Sequence, residues 1–262
     1  MSFSGLIRYA RFIHSTREVA CCGQRRHLCE GRWDRHLPRD CLSITIMDTL
    51  VARLEDTLSS DQATRDAAEQ YLAHETLPKS RTDDVLGVQL AQILSEASLS
   101  LYVRQAAAIA LKKYVRKRWS IFFDTFTQDM VVNGIVQTVD ATPVEAKEHI
   151  RTSLLACLCD AEPKVRSQAS DILSLISSCD FPDHFPQLLP TLQAYLHSYA
   201  EQDAHAAYKV HGAMKFLLDL VHVELDENQL LMVAQQLVPL LQGIVSSSSD
   251  WITPHTRARC IN

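Results

Sequence analysis

From Met47 onward, apolar residues return every three or four positions, the spacing that lines one face of a helix. In VRQAAAIALKKYV the positions Val103, Ala106, Ala107, Ala110, Leu111, Tyr114 and Val115 form a single stripe. One arrangement recurs inside these stripes: a basic residue, a small residue three positions on, and a large apolar residue four further. It reads Arg65, Ala68, Leu72, then Arg104, Ala107, Leu111, then Arg166, Ala169, Leu173. A looser copy is Lys209, Gly212, Phe216, and Arg257 with Cys260 begins a fifth.

The successive offsets are 39, 62, 43 and 48 residues. Most match the period of helical-hairpin repeats of the HEAT or armadillo type, so the pattern predicts an all-α solenoid of about five repeats with the last one truncated. The long offset follows if about 20 residues are inserted between the second and third repeats. The stretch 120–142, rich in β-branched and aromatic residues, breaks the helical rhythm and is the candidate insertion. The predicted hairpins are 47–58 with 61–76, 83–97 with 100–118, 143–158 with 163–178, and 185–199 with 203–222. A fifth begins near 227–246. Ser60, Asp61 and Ser100 are N-cap candidates, and Pro143 and Pro163 suit a helix's first turn. Ser246–Ser249 reads as the loop that follows the fifth hairpin's first helix.

No hairpin can bury its apolar stripe alone, so stacking must make one continuous core. The recurring small residue lets neighbouring hairpins approach. The recurring arginine is expected to bond carboxylates or carbonyls of the adjacent repeat rather than an outside partner.

Residues 1–46 follow a different design. They hold eight arginines, no lysine and four acids, a net of +4, whereas 47–262 carry a net of −9. Cys21, Cys22, His27, Cys29, His36 and Cys41 fit no common zinc spacing. Arg8, Arg11 and Arg17 without acids in 1–17 would suit a mitochondrial presequence. The reading preferred over both is an unstructured or non-native leader. It leaves 47–262 as the solenoid.

Candidate chemistry is sparse. Only four of the seven glycines lie in the body, too few for a phosphate loop or a β-rich fold. His74, His149, His184, His197, His205, His211, His222 and His255 show no metal-ligand spacing, and no nucleophile elbow or dinucleotide fingerprint occurs. The expectation is a protein that is not an enzyme and takes no cofactor and no metal. Cys157, Cys159, Cys179 and Cys260 do not form a disulfide framework. No uninterrupted run of 18 apolar residues suggests a membrane span. The acidic body disfavours nucleic acid and favours basic protein partners. The run Lys112, Lys113, Arg116, Lys117, Arg118 reads as a solvated helix end complementing the helix dipole.

Three stretches carry a family resemblance. VRQAAAIALKKYVRKRW (103–119) resembles the second repeat of the importin-β (karyopherin) N-terminal domain. FPDHFPQLLPTL (181–192) is similar to that family's segment between repeats three and four, and VHGAMKFLLDL (210–220) to the helix after it. The His-Gly-Ala-Met run looks most like the importin-9 branch. The likeness covers 47–262, with the importin-β N-terminal domain at about 64–142 and the insertion at 120–142. The resemblance implies a receptor that shuttles between cytoplasm and nucleus. It would bind the small GTPase Ran in its GTP form and take part in importing basic cargo such as histones or ribosomal proteins. The full-length receptor would also meet nuclear pore proteins. In that family the second helices of the first repeats meet Ran. Carried onto this chain, these positions are Gln62, Asp66, Glu69, Gln70, Gln105, Lys112, Lys113, Arg116, Lys164 and Asp171. The alternative is a helical-repeat scaffold without a GTPase switch.

Overall fold

Helix after helix follows the stripes. The computed structural model describes residues 39–75, 85–120, 123, 129–132, 135–138, 142–201, 204–222, 225–248, 250 and 252–261. The helices, in chain order, are α1 (Arg39–Asp56), α2 (Gln62–Glu75), α3 (Leu86–Ser95), α4 (Leu101–Arg118), α5 (Val144–Cys157) and α6 (Pro163–Asp180). They continue with α7 (Leu188–His197), α8 (Ala204–Val221), α9 (Glu227–Ser246) and α10 (Pro254–Arg259). A short 3-10 turn, Ser198–Ala200, extends α7.

The helix ends obey their capping residues. Asp61 accepts from the Thr64 N–H at 2.8 Å and so caps α2, and Ser100 accepts from the Val103 N–H at 3.4 Å to cap α4. Asp226 and Gln229 form a reciprocal capping box on α9. Pro163 opens α6, and Pro143 sits one residue before α5. The first helix starts at Arg39, eight residues before Met47, so helix crosses the composition break. The cysteines, histidines and arginines of 1–38 lie outside the described residues.

Helices alternate between two layers. The first helices α3 and α5 pack side by side, as do α7 and α9; the second helices α4, α6 and α8 pack in a row. One apolar cluster runs from Leu50 through Leu94, Leu111, Leu154, Leu173, Leu192, Phe216 and Leu237 to Ile252, as the stacked-hairpin reading requires. Of the stripe on α4, all but the partly buried Ala110 are buried. Phe181 and Phe185 of the 181–192 stretch are both buried.

The insertion sits between α4 and α5. Within it β1 (Asp129–Val132) and β2 (Ile135–Thr138) pair antiparallel, Val131 opposite Val136. Its return is tied down where it left: the Thr142 N–H donates to the Arg118 carbonyl at 2.7 Å. The Thr142 hydroxyl also reaches that carbonyl at 2.9 Å and lies 3.1 Å from the Tyr114 hydroxyl. Both ends of the excursion therefore meet at the carboxyl end of α4, and the stack continues past it.

The recurring arginine corrects one expectation. Arg65 donates to the Ser59 carbonyl at 2.6 Å, Arg166 to those of Asp160 and Ala161 at 2.5 and 2.9 Å, and Arg257 to that of Ser247 at 2.7 Å. Each ties down the turn of its own hairpin rather than the neighbour's. Turn carbonyls at a helix end have no partner within the helix, and a guanidinium one turn into the next helix reaches them. Arg104 does both: it donates to the Leu94 carbonyl at 2.8 Å and pairs with Asp160 of the following hairpin.

Candidate functional site

The polar side chains that the packing leaves over on the second helices form the candidate face. On α2, Gln62 donates to Asp66 at 2.6 Å, and Asp66, Glu69 and Gln70 are exposed. On α4, Lys113 and Arg116 are exposed, while Gln105 and Lys112 are half-buried. On α6, Lys164 is exposed in the first turn and Asp171 is half-buried. Two of the expected residues meet across helices: the Lys112 ammonium lies 3.6 Å from the Asp171 carboxylate. The others are spread along the three helices.

The pattern of charge extends further than the sequence reading placed it. Lys215 on α8 also lies 3.6 Å from Asp171 and pairs with Asp219 one turn on. Asp219 in turn accepts from the buried Ser170 hydroxyl of α6. Lys112, Asp171, Lys215 and Asp219 thus bridge α4, α6 and α8 in one row. Lys215 and Asp219 were legible as an i,i+4 pair, but their reach to Asp171 depends on helix stagger. With both side chains more than a third exposed, the Lys112–Asp171 bridge contributes at most about 1 kcal/mol.

A second polar cluster is buried and holds the scaffold together. The Trp119 indole N–H donates to Asp180 at 2.9 Å, and Arg151 lies 3.6 Å from the same carboxylate. The Arg151 guanidinium sits 5.8 Å from the Trp119 ring centre and 5.3 Å from that of Phe185, and it bonds the His184 carbonyl. Lys147 lies 5.1 Å from the Trp119 ring, and burial holds its pKa below the usual lysine range despite the Asp180 charge. The stretches 103–119 and 181–192 are therefore joined through Trp119, Asp180, Arg151 and Phe185. Trp119 is fully buried, so this part of the pattern serves packing. Arg118 corrects another expectation, since it is buried at the end of α4 rather than solvated.

No group of three or more His, Cys, Asp or Glu could hold a metal ion among the described residues. Cys157, Cys159, Cys179 and Cys260 are free thiols. His211 is half-buried with its ring 3.2 Å from the Thr256 hydroxyl. One shallow cavity of about 300 Å³ lies between α9 and the α10 end, beside Val238, Leu241 and Ile261. Another, of about 500 Å³, lies beside Pro186 and Pro190, and neither is lined by His, Asp, Glu or Lys. Among the described residues, α9 is the one helix long and apolar enough to cross a membrane by length and composition. It packs on α7, burying Val233, Leu237 and Ile244.

Comparison with known proteins places this geometry. Residues 73–160 match the family model described as "Importin-beta N-terminal domain", a span overlapping the 64–142 expected. Exportin-2 of Drosophila melanogaster is 26% identical over 143 residues, 55% of this chain and 13% of that protein. Importin subunit beta-5 of Schizosaccharomyces pombe is 28% identical over 200 residues, 76% and 18%. Importin-9 of Drosophila melanogaster is 23% identical over 207 residues, 79% and 18%. The likeness is thus to the importin and exportin group and does not single out the importin-9 branch. The exportin Cse1 in its cargo-free, cytoplasmic state superposes with a TM-score of 0.57 at 16% identity, covering 82% of this chain and 22% of that one. Importin Beta crystallised in ammonium sulfate gives 0.54 at 18%, covering 81% and 23%. Both share the fold. The chain spans less than a quarter of the length of each of these relatives.

Proposed function

We propose, from the premise that residues 73–160 match an importin-beta N-terminal domain, that this chain acts as the amino-terminal hairpins of a nuclear transport receptor. It binds Ran in its GTP form through the second helices α2, α4 and α6, and takes part in the nuclear import of basic proteins while shuttling between cytoplasm and nucleus. The domain match carries this reading. The exposed polar face of the second helices supports it, because those side chains point away from the core while the buried Trp119–Asp180 cluster keeps the helices in register.

In this scheme cargo and GTPase share one stack of helices, and each alters the other's affinity through the packing between hairpins. The contact residues are Gln62, Asp66, Glu69 and Gln70 of α2, Gln105, Lys112, Lys113 and Arg116 of α4, and Lys164 and Asp171 of α6. Reversing charge at the exposed Asp66 and Lys113 together is expected to weaken Ran-GTP binding by roughly tenfold or more without changing the melting curve. Unchanged affinity for the double variant would move the contact off this face.

A second reading concerns direction. Exportin-2 is as close a relative as the importins, which favours export of cargo by the same fold. The two readings separate by the sign of the coupling: import by this chain predicts that Ran-GTP weakens cargo binding, and export that it tightens it. A cargo-binding assay with and without Ran-GTP decides between them.

A further inference from the structure

The exposed face of α4 combines cations with apolar side chains and contains no acid. Tyr102 is 69% exposed and Ile109 54% exposed, with Lys113, Arg116 and Lys117 exposed around them. No Asp or Glu occurs between Leu101 and Trp119. With 3.6 residues per turn, Tyr102, Ile109, Lys113 and Lys117 fall within about 80° of arc. Tyr102 and Ile109 lie two turns apart, about 10 Å along the axis. At the strip's edge the Lys112 ammonium already has a carboxylate, that of Asp171 at 3.6 Å.

We propose that this face of α4 is a docking strip for an acidic amphipathic helix whose two apolar anchors, at i and i+7, pack against Tyr102 and Ile109. Charge complementarity selects the occupant: the exposed Lys113 and Lys117, on a helix that itself carries no acid, attract carboxylates flanking the anchors. Apolar anchors give the contact a desolvated centre that exposed ion pairs alone do not supply. A helix on a helical face matches the two-turn spacing. A polyphosphate chain has the right sign of charge but brings no apolar anchor for Tyr102 and Ile109. Asp171 tunes the edge of the strip by competing for Lys112. The inference rests on the proposed function only in taking the second-helix face as the contact face, and it names the chemistry that face recognises.

The test is fluorescence anisotropy of a labelled, helix-forming synthetic peptide with Leu at i and i+7 and Glu on both flanks, titrated with the whole chain at low salt. The expected result is roughly micromolar binding that weakens steeply as salt rises. K113Q/K117Q is expected to weaken it roughly tenfold and flatten the salt dependence, and Y102A/I109A to weaken it roughly tenfold with the salt dependence unchanged. Q235E/Q242E, which shifts net charge equally but on α9, is expected to stay within about twofold. Equal loss in the two charge pairs would overturn the proposal, as would a Gln-for-Glu peptide binding as tightly as the acidic one. A uridine oligonucleotide that outcompetes the peptide and is lost in K113Q/K117Q would also overturn it, in favour of a nucleic-acid site. All substitutions are at surface positions, and circular dichroism checks that each variant is folded. Peptide binding retained in a chain that ignores Ran-GTP would sink the GTPase reading alone; the converse would sink this strip alone.

Discussion

A Cβ on Gly212 would stand 1.8 Å from the Leu158 carbonyl oxygen, a backbone atom that cannot yield. The small residue of the repeat is therefore where α8 presses against the end of α5. Gly212→Ala is expected to lower stability by about 3 kcal/mol in chemical denaturation, overriding the higher helix propensity of alanine. Gly243→Ala meets the flexible end of Tyr199 at 3.1 Å and should change stability by less than about 1 kcal/mol. The arginine position divides likewise. Arg104 is buried with a charged partner, so Arg104→Met should cost about 3 kcal/mol, whereas Arg65→Met, on a half-buried side chain bonded to Ser59, should cost about 1 kcal/mol. Both residues were visible in the sequence as members of a repeat. Their partners were not, because carbonyls in a turn leave no compositional mark. Cys157 adds a pH signature: burial pushes its thiol up to about 12 from an ordinary value of 9.0. The folded chain keeps a proton that the unfolded chain loses above about pH 9, so stability present at neutral pH falls as pH rises through that window. At pH 10 this loss is about 1 kcal/mol, and Cys157→Ala should reduce the slope of stability against pH above 9.

Among the elements, the helices were legible because their stripes repeat, and their starts because Asp61, Ser100 and Pro163 carry recognisable capping chemistry. The Arg39 start of α1 was not: composition breaks at Met47, but a helix needs only a permissive backbone to continue across such a break. The insertion was located by the one irregular offset and by its β-branched residues, and its hairpin falls inside the expected 120–142. Its independence from the stack has a direct test. Because Thr142 bonds the Arg118 carbonyl at 2.7 Å, the ends of the excursion are already adjacent. Replacing residues 124–140 with a short Gly-Ser link, which keeps Phe123 against the core, should therefore shift the melting temperature by only a few degrees, since closing a shorter loop changes little entropy. A collapse of the cooperative transition would mean that the hairpin supports the core. Thr142→Val, by contrast, removes the hydroxyl that meets Tyr114 and the Arg118 carbonyl, and is expected to cost about 1–2 kcal/mol by thermal denaturation.

For the molecule as a whole, stacking order follows from the repeat period and gives two helix layers over one core. The candidate face was legible only in part. Removing the core stripe from each second helix left polar positions that do lie off the core, yet it could not show that Lys112 and Asp171 face one another or that Lys215 joins them. Those contacts depend on how far each hairpin slides along the next, which the local pattern does not encode. The same limit explains why Trp119, which closes the 103–119 stretch, is buried scaffold: a family pattern records packing as well as binding. The central claim is that the second-helix face recognises a GTPase in one nucleotide state. Its most direct test is the affinity of this 262-residue chain for Ran loaded with a non-hydrolysable GTP analogue against Ran loaded with GDP, by isothermal titration calorimetry. The account predicts binding to the GTP form at least roughly a hundredfold tighter than to the GDP form, a difference of about 2.7 kcal/mol. Equal affinity for the two forms, or no binding by a chain shown to be helical and to melt cooperatively, would contradict it.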